Sequence, residues 1–151
     1  MNKKFDRAIK LAFVLYVLLM LYLLFFQRSG GVSEINLIPF RTIREFWITL
    51  VQGFGTKWGE SLFIGSLINL GGNILMFVPL GLFPPLMWKA LRGFARDMAL
   101  CAVLIIAVEA TQFATGLGCA DIDDLILNML GAAIGWLIFA RILNRTKPES
   151  R

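Results

Sequence analysis

The chain has 151 residues, 58% of them hydrophobic, with a mean hydropathy of +0.73, too apolar for a soluble domain of this size. Its net charge of +5 does not point to nucleic acid, because the fifteen Lys and Arg are scattered between apolar runs and form no basic face. With no histidine, His-based zinc sites and Ser-His or Cys-His catalytic pairs are excluded, and the length allows one membrane domain over 1–151 with about four spans of roughly 20 residues.

Residues 1–10 (MNKKFDRAIK) are basic, and 11–26 is an unbroken apolar run. A secretory signal peptide begins in the same way. This run, however, is long, ends in Phe25-Phe26-Gln27-Arg28 and is followed by no A-x-A-like site, so it reads as an uncleaved first span over about 8–26. Lys10 can snorkel to the near interface.

The longest connection, 27–60, opens with Ser29-Gly30-Gly31 and passes through Asn36-Leu37-Ile38-Pro39-Phe40. Beyond it Ile43, Phe46, Trp47, Leu50, Val51 and Phe54 recur at helical spacing, with Arg41, Arg44, Glu45, Thr49 and Gln52 largely elsewhere. That pattern predicts an amphipathic helix over 41–54, lying at the membrane interface, packed on the bundle, or both.

From 61 to 88 there are 28 residues without a formal charge, which would extend about 42 Å as a straight helix against a hydrocarbon core of about 30 Å. The second span is placed at about 62–84, with Pro79 kinking it and Pro84-Pro85 ending it. Asn69 and Asn73 share one face of it. A short basic loop follows, with Lys89, Arg92 and Arg96 set against Asp97.

The third span, about 98–115, carries Glu109 and Gln112 one turn apart. The loop 116–123 has no Lys or Arg. The fourth span, about 124–140, places Asp124, Asn128, Gly131 and Gly135 on one stripe, and Gly131-Ala-Ala-Ile-Gly135 is a small-xxx-small contact motif. The tail 141–151 is basic. Cys101 and Cys119, separated by about 27 Å of helix, are too far apart for an intrachain disulfide, and Cys119 reads as a small loop residue.

With four spans, the N-terminus, the 88–97 loop and the C-terminus lie on one side with eleven Lys and Arg, against four on the other. The positive-inside bias puts both termini in the cytoplasm and the 41–54 helix on the extracytoplasmic side. Asn69, Asn73, Glu109, Gln112, Asp124 and Asn128 then fall at overlapping depths, open toward the outside. Polar groups in hydrocarbon are costly, about 2.5–3.5 kcal/mol for a central Asp, so they are expected to face one another.

Duller readings apply to most of them. Asp121 and Asp124 can cap the fourth helix, and the asparagines can be interhelical glue. Asp123 points away from the Asp124 stripe and reads as solvated. Glu109 is hardest to explain as structure alone. An oxygen-rich set of this kind suits a hard divalent cation, with Glu109, Asp121 and Asp124 as candidate ligands, or an amine or sugar-phosphate headgroup. An enzyme here would need carboxylates as acid and base, with Glu109 and Asp124 the candidates. No G-x-S-x-G, Walker or zinc-ligand pattern is present, and no cofactor is evident.

The motifs at 36–40 (NLIPF), 69–81 (NLGGNILMFVPLG), 109–112 (EATQ) and 121–125 (DIDDL), with Asn128 and Gly131, resemble the VanZ-like family of small bacterial membrane proteins over roughly residues 10–140. The family is named for a member associated with low-level teicoplanin resistance. Its pattern is matched at Asn36, Pro39, Asn69, Asn73, Pro79, Gly81, Glu109, Gln112, Asp121, Asp124, Asn128, Gly131 and Gly135. The resemblance implies a multi-pass protein of the bacterial cytoplasmic (inner) membrane, linked to the cell envelope or to glycopeptide susceptibility, and no settled reaction. Many relatives carry an Arg before the aspartates. Here Cys119-Ala120 stand in that place, so a cationic ligand contact would fall to Arg41 or Arg44, which weakens an anionic substrate.

The expected fold is thus an all-α membrane protein, a four-helix transmembrane bundle with an amphipathic extracytoplasmic interfacial helix. Its expected partners are membrane lipids and a cell-wall precursor or glycopeptide. The candidate ligand contacts are Asn36, Arg41, Asn69, Asn73, Glu109, Gln112, Asp121, Asp124 and Asn128. Three functions fit: an outward-facing polar pocket that binds or modifies a cell-envelope or lipid-linked headgroup, a metal-assisted intramembrane hydrolase or transferase, and a non-catalytic scaffold or transporter subunit.

Overall fold

The computed structural model describes residues 3–25, 35–36, 38–52, 57–117 and 120–145. Leu37, Phe54, Cys119 and the tail beyond Arg145 lie outside the described residues. The helices are α1 (Lys3–Phe25), α2 (Arg41–Gln52), α3 (Lys57–Met87), α4 (Phe94–Ala114) and α5 (Ile122–Arg145), with a 3-10 turn at Lys89–Leu91 between α3 and α4. Two-residue strands β1 (Ile35–Asn36) and β2 (Ala120–Asp121) pair in parallel, with Ile35 opposite Ala120 and Asn36 opposite Asp121. α1, α3, α4 and α5 are long and apolar enough to cross a membrane, so the protein is an all-α membrane bundle with α2 as a short amphipathic helix beside it.

α3 is the central helix, packed most extensively on α5 and also on α2, α1 and α4, while α5 packs in addition on α4. Glycines set the α3–α5 contact. A Cβ at Gly131 would overlap the Ile74 carbonyl oxygen, one at Gly135 the Val78 carbonyl, and one at Gly81 the Ala132 carbonyl. Removing side chains lets the two backbones meet, the usual source of affinity between helices when the surrounding lipid is as apolar as they are. Around this seam Phe77, Leu80, Cys101, Ile105 and Ala132 form a buried core, joined by Met20 and Leu24 of α1. The outward faces are apolar as well: Leu75 is 71% exposed and Val103 65%, as expected of surfaces that meet acyl chains.

The proline-rich stretch does not end α3, contrary to the sequence expectation; Pro79, Pro84 and Pro85 all lie inside the helix. Proline removes a donor and leaves the carbonyl four residues back unserved, but neighbours can replace what is lost. The Leu80 carbonyl, four before Pro84, accepts the Cys101 thiol at 3.7 Å. The Met76 carbonyl, three residues before Pro79, accepts the Tyr16 hydroxyl at 2.9 Å and ties α1 to the same turn. The Trp88 N–H then donates to the Pro84 carbonyl at 2.8 Å and closes the last turn.

α4 also starts earlier than expected. Gly93, in an extended conformation, precedes its first residue, and its carbonyl accepts the N–H groups of Arg96 and Asp97. Asp97 therefore lies in the first helical turn, where a carboxylate suits the helix dipole, and not in the short basic loop expected over 88–97. It is fully buried, and neither carboxyl oxygen has a hydrogen-bond partner among the described residues.

α1 packs on α3 through rings, with Phe13 5.7 Å from Phe83 and Tyr16 6.1 Å from Phe83. α2 packs on α3 through Phe46, stacked on Phe63 at 5.4 Å, while Trp47 and Val51 on the same apolar side stay exposed. α2 thus packs on the bundle and at the same time leaves part of its apolar face uncovered.

Candidate functional site

The polar residues of α3, α4 and α5 meet as a ladder. Asn73 of α3 donates through Nδ2 to Asp124 Oδ1 at 2.6 Å, and its neighbour Asn69 accepts the same Nδ2 at 3.5 Å. One turn along α5, Asn128 donates through Nδ2 to Glu109 Oε1 of α4 at 3.3 Å. Asp124 and Asn128 are four residues apart on one face, so α5 presents one rung to α3 and the next to α4. Asn73, Asp124 and Asn128 are buried, and Asn128 Oδ1 has no partner among the described residues.

Gln112 takes no part in either rung. It is fully buried and donates through Nε2 to the Leu24 carbonyl at 3.0 Å, serving one of the last carbonyls of α1, which a helix end leaves unpaired. Its Oε1 has no partner among the described residues. Arg41 is exposed and its Nε pairs with Glu45 Oε1 at 2.9 Å along α2.

Above the ladder, the aspartate loop holds the 35–42 segment. Asp121 precedes α5 and caps it, with Oδ1 accepting the Asp123 N–H at 2.9 Å. Its other oxygen, Oδ2, accepts Asn36 Nδ2 at 3.0 Å, beside the β1–β2 pairing. Asn36 Oδ1 in turn accepts the Ile38 N–H at 3.2 Å.

Asp123 is 1% exposed, which corrects its reading as a solvated residue. Its two carboxylate oxygens accept the N–H groups of Phe40 at 2.5 Å and Thr42 at 2.7 Å, so it caps α2 from another helix. Phe40 sits at φ 64°, a left-handed conformation that costs a bulky residue roughly 1–2 kcal/mol. The carboxylate bonds offset that cost. Nothing in the local sequence points to this contact, because the donors lie 83 and 81 positions away.

Beside the ladder, between α4 and α5, lies a crevice of about 250 Å³ lined by Ile106, Glu109, Ala110, Phe113, Asp121, Ile122 and Leu125. Its walls are almost wholly apolar. Two features occupy this region: polar side chains paired across helices, and an apolar crevice whose lining takes in Glu109 and Asp121 of the candidates. Buried polar groups gain most by finding partners inside the protein, which accounts for the pairing. Among the described residues no group of three or more Asp, Glu or Cys side chains is placed to hold a metal ion.

Comparison with known proteins agrees with this architecture. The family model VanZ/LLP1 matches residues 13–144. Protein VanZ of Enterococcus faecium is 31% identical over 75 residues, covering 50% of this chain and 46% of that protein. The match thus spans about half the length of either. No solved structure matches. With the family model reaching into all four long apolar helices and taking in both rungs of the ladder, the chain belongs to the VanZ/LLP1 family.

Proposed function

We propose that this protein binds the headgroup of a lipid-linked cell-envelope molecule at the α3–α4–α5 ladder, and that this binding lowers glycopeptide (teicoplanin) susceptibility. The ligand enters sideways from the bilayer, its chain lying in the α4–α5 crevice and its polar group reaching Glu109. The observation that carries this reading is the position of Glu109, which is held by Asn128 and also stands on the wall of an apolar crevice. An apolar cleft with a few fixed polar groups is the usual form of a small-molecule site. Here the polar side chains of the lining are the carboxylates of Glu109 and Asp121, and they favour a ligand rich in N–H and O–H donors, such as an aminosugar or a free amine.

The reading also places the site in the outer half of the membrane, since the basic residues gather at the opposite end of the bundle. Asp121 and Asp123 spend their oxygens on Asn36 and on the starts of α5 and α2, so they shape the site and Glu109 contacts the ligand. Similarity to Protein VanZ supports the glycopeptide link.

The test is the teicoplanin susceptibility of cells carrying Glu109→Ala or Ile106→Trp, compared at equal membrane abundance. The first removes the polar contact and the second fills the crevice. Both are expected to abolish protection. Full protection by either variant would reject the site.

A further inference from the structure

We infer that the opposite, basic end of the bundle carries a second site, which takes the phosphate headgroup of an anionic phospholipid. A cavity of about 400 Å³ opens there between α1 and the α3–α4 connection. Its walls are Asp6, Ile9 and Lys10 of α1, Leu86 and Met87 at the end of α3, and Lys89 and Arg92 beyond it. Three cations and one carboxylate thus converge from separate parts of the chain.

The cations are not simply a fringe. Arg92 is half-buried, and its Nε donates to the Pro85 carbonyl at 3.4 Å, one of the carbonyls that the end of α3 leaves open. That bond fixes the guanidinium at the cavity, with its other N–H groups available to an anion. A guanidinium so placed matches phosphate oxygens in geometry as well as charge. Lys10 and Lys89, both exposed, add mobile ammonium groups on either side. Asp6 opposes a bare phosphate but accepts a hydrogen bond from a hydroxyl of the headgroup.

The surroundings favour a lipid over a soluble phosphate. Ile9, Leu86 and Met87 make part of the wall apolar. Leu11 and Leu15, one turn apart further along α1, are 62% and 58% exposed and offer a surface for acyl chains. Trp88 is half-exposed, with its ring edge-on to Phe13 at 6.4 Å, and marks the depth at which aromatic residues meet headgroups. Basic pockets between membrane helices bind such headgroups. The plain alternative is that these residues only orient the protein during insertion.

The full-length protein in detergent, offered phosphatidylglycerol and phosphatidylcholine together and analysed by native mass spectrometry, separates the two. Lys10→Gln with Lys89→Gln leaves the Arg92–Pro85 bond intact and is expected to cut the bound phosphatidylglycerol-to-phosphatidylcholine ratio roughly tenfold. Lys3→Gln with Arg141→Gln removes the same charge outside the cavity and is expected to leave the ratio unchanged. Equal losses in both pairs, or none in either, overturn the site, and an unchanged helical circular-dichroism spectrum shows that a loss is not unfolding. Inorganic phosphate added alone distinguishes the source: if it displaces the lipid at millimolar concentration, the cavity serves soluble phosphate and the lipid assignment fails.

Discussion

Asn73 and Asp124, 51 positions apart in the chain, share a 2.6 Å hydrogen bond in which the amide donates to the carboxyl oxygen. Both are buried between helices that cross a membrane. Such a bond fixes the rotation of α3 against α5, because a slip of either helix would strand a polar group in hydrocarbon. Asn73→Ala or Asp124→Ala alone is expected to destabilise the bundle by about 1–3 kcal/mol, and the double variant by less than the sum. Unfolding by denaturing detergent in mixed micelles measures all three, and strict additivity would show that the two side chains do not interact.

The glycine seam gives a second expectation. Gly131→Ala places a methyl group on the Ile74 carbonyl and is expected to cost about 1–3 kcal/mol, while Gly131→Leu prevents assembly. At Gly65, where an added Cβ meets nothing within 4 Å, alanine is expected to be neutral or to stabilise by about 0.5–1 kcal/mol. Thermal stability of the purified variants, read by the fraction remaining monodisperse, orders them. A Gly131→Ala protein as stable as Gly65→Ala would contradict the close approach.

Asp123 latches α2 to the start of α5, so its loss should free one helix while leaving the bundle folded. In Asp123→Ala, hydrogen exchange across 40–46 is expected to quicken by at least about tenfold, with α4 and the middle of α5 unchanged. Phe40→Gly, at the left-handed residue, is expected to stabilise the latch locally by about 1 kcal/mol. Exchange that spreads evenly over all helices would assign Asp123 a global role instead.

Cys101 offers a check on the proline-containing helix. It is fully buried, and its thiol serves the carbonyl left open by Pro84. In a Cys119→Ser background the native protein is expected to resist maleimide until denatured. Cys101→Ser keeps a donor and should cost less than Cys101→Val, which leaves the Leu80 carbonyl unserved at about 1–3 kcal/mol. A valine variant as stable as the serine one would show that the thiol contact contributes nothing.

The reach of the sequence can be judged residue by residue. The stripe Asp124, Asn128, Gly131, Gly135 is periodic and local, and the structure puts all four on the faces where α5 meets α3 and α4. The amphipathic helix was equally plain, since Phe46, Trp47, Leu50 and Val51 repeat at helical spacing. Asp123 misled because a carboxylate beside a helix start reads as solvated until a partner covers it, and Asp97, placed in the basic 88–97 loop, lies instead in the first turn of α4. The pair Pro84-Pro85 misled because its penalty is conditional: it ends a helix only where no neighbour supplies the missing donors.

The sequence by itself therefore determined what a bilayer imposes on any chain: four apolar lengths, one amphipathic segment, and small residues where helices touch. Those follow from span length and helical period, which are properties of consecutive residues. Only the tertiary structure decided how the polar groups divide among themselves, with Asn73 on Asp124, Asn128 on Glu109, Gln112 on Leu24 and Asp123 on Phe40 and Thr42. A buried hydrogen bond needs a partner within about 3 Å in space, and here that partner comes from a different helix or loop, out of reach of any local pattern.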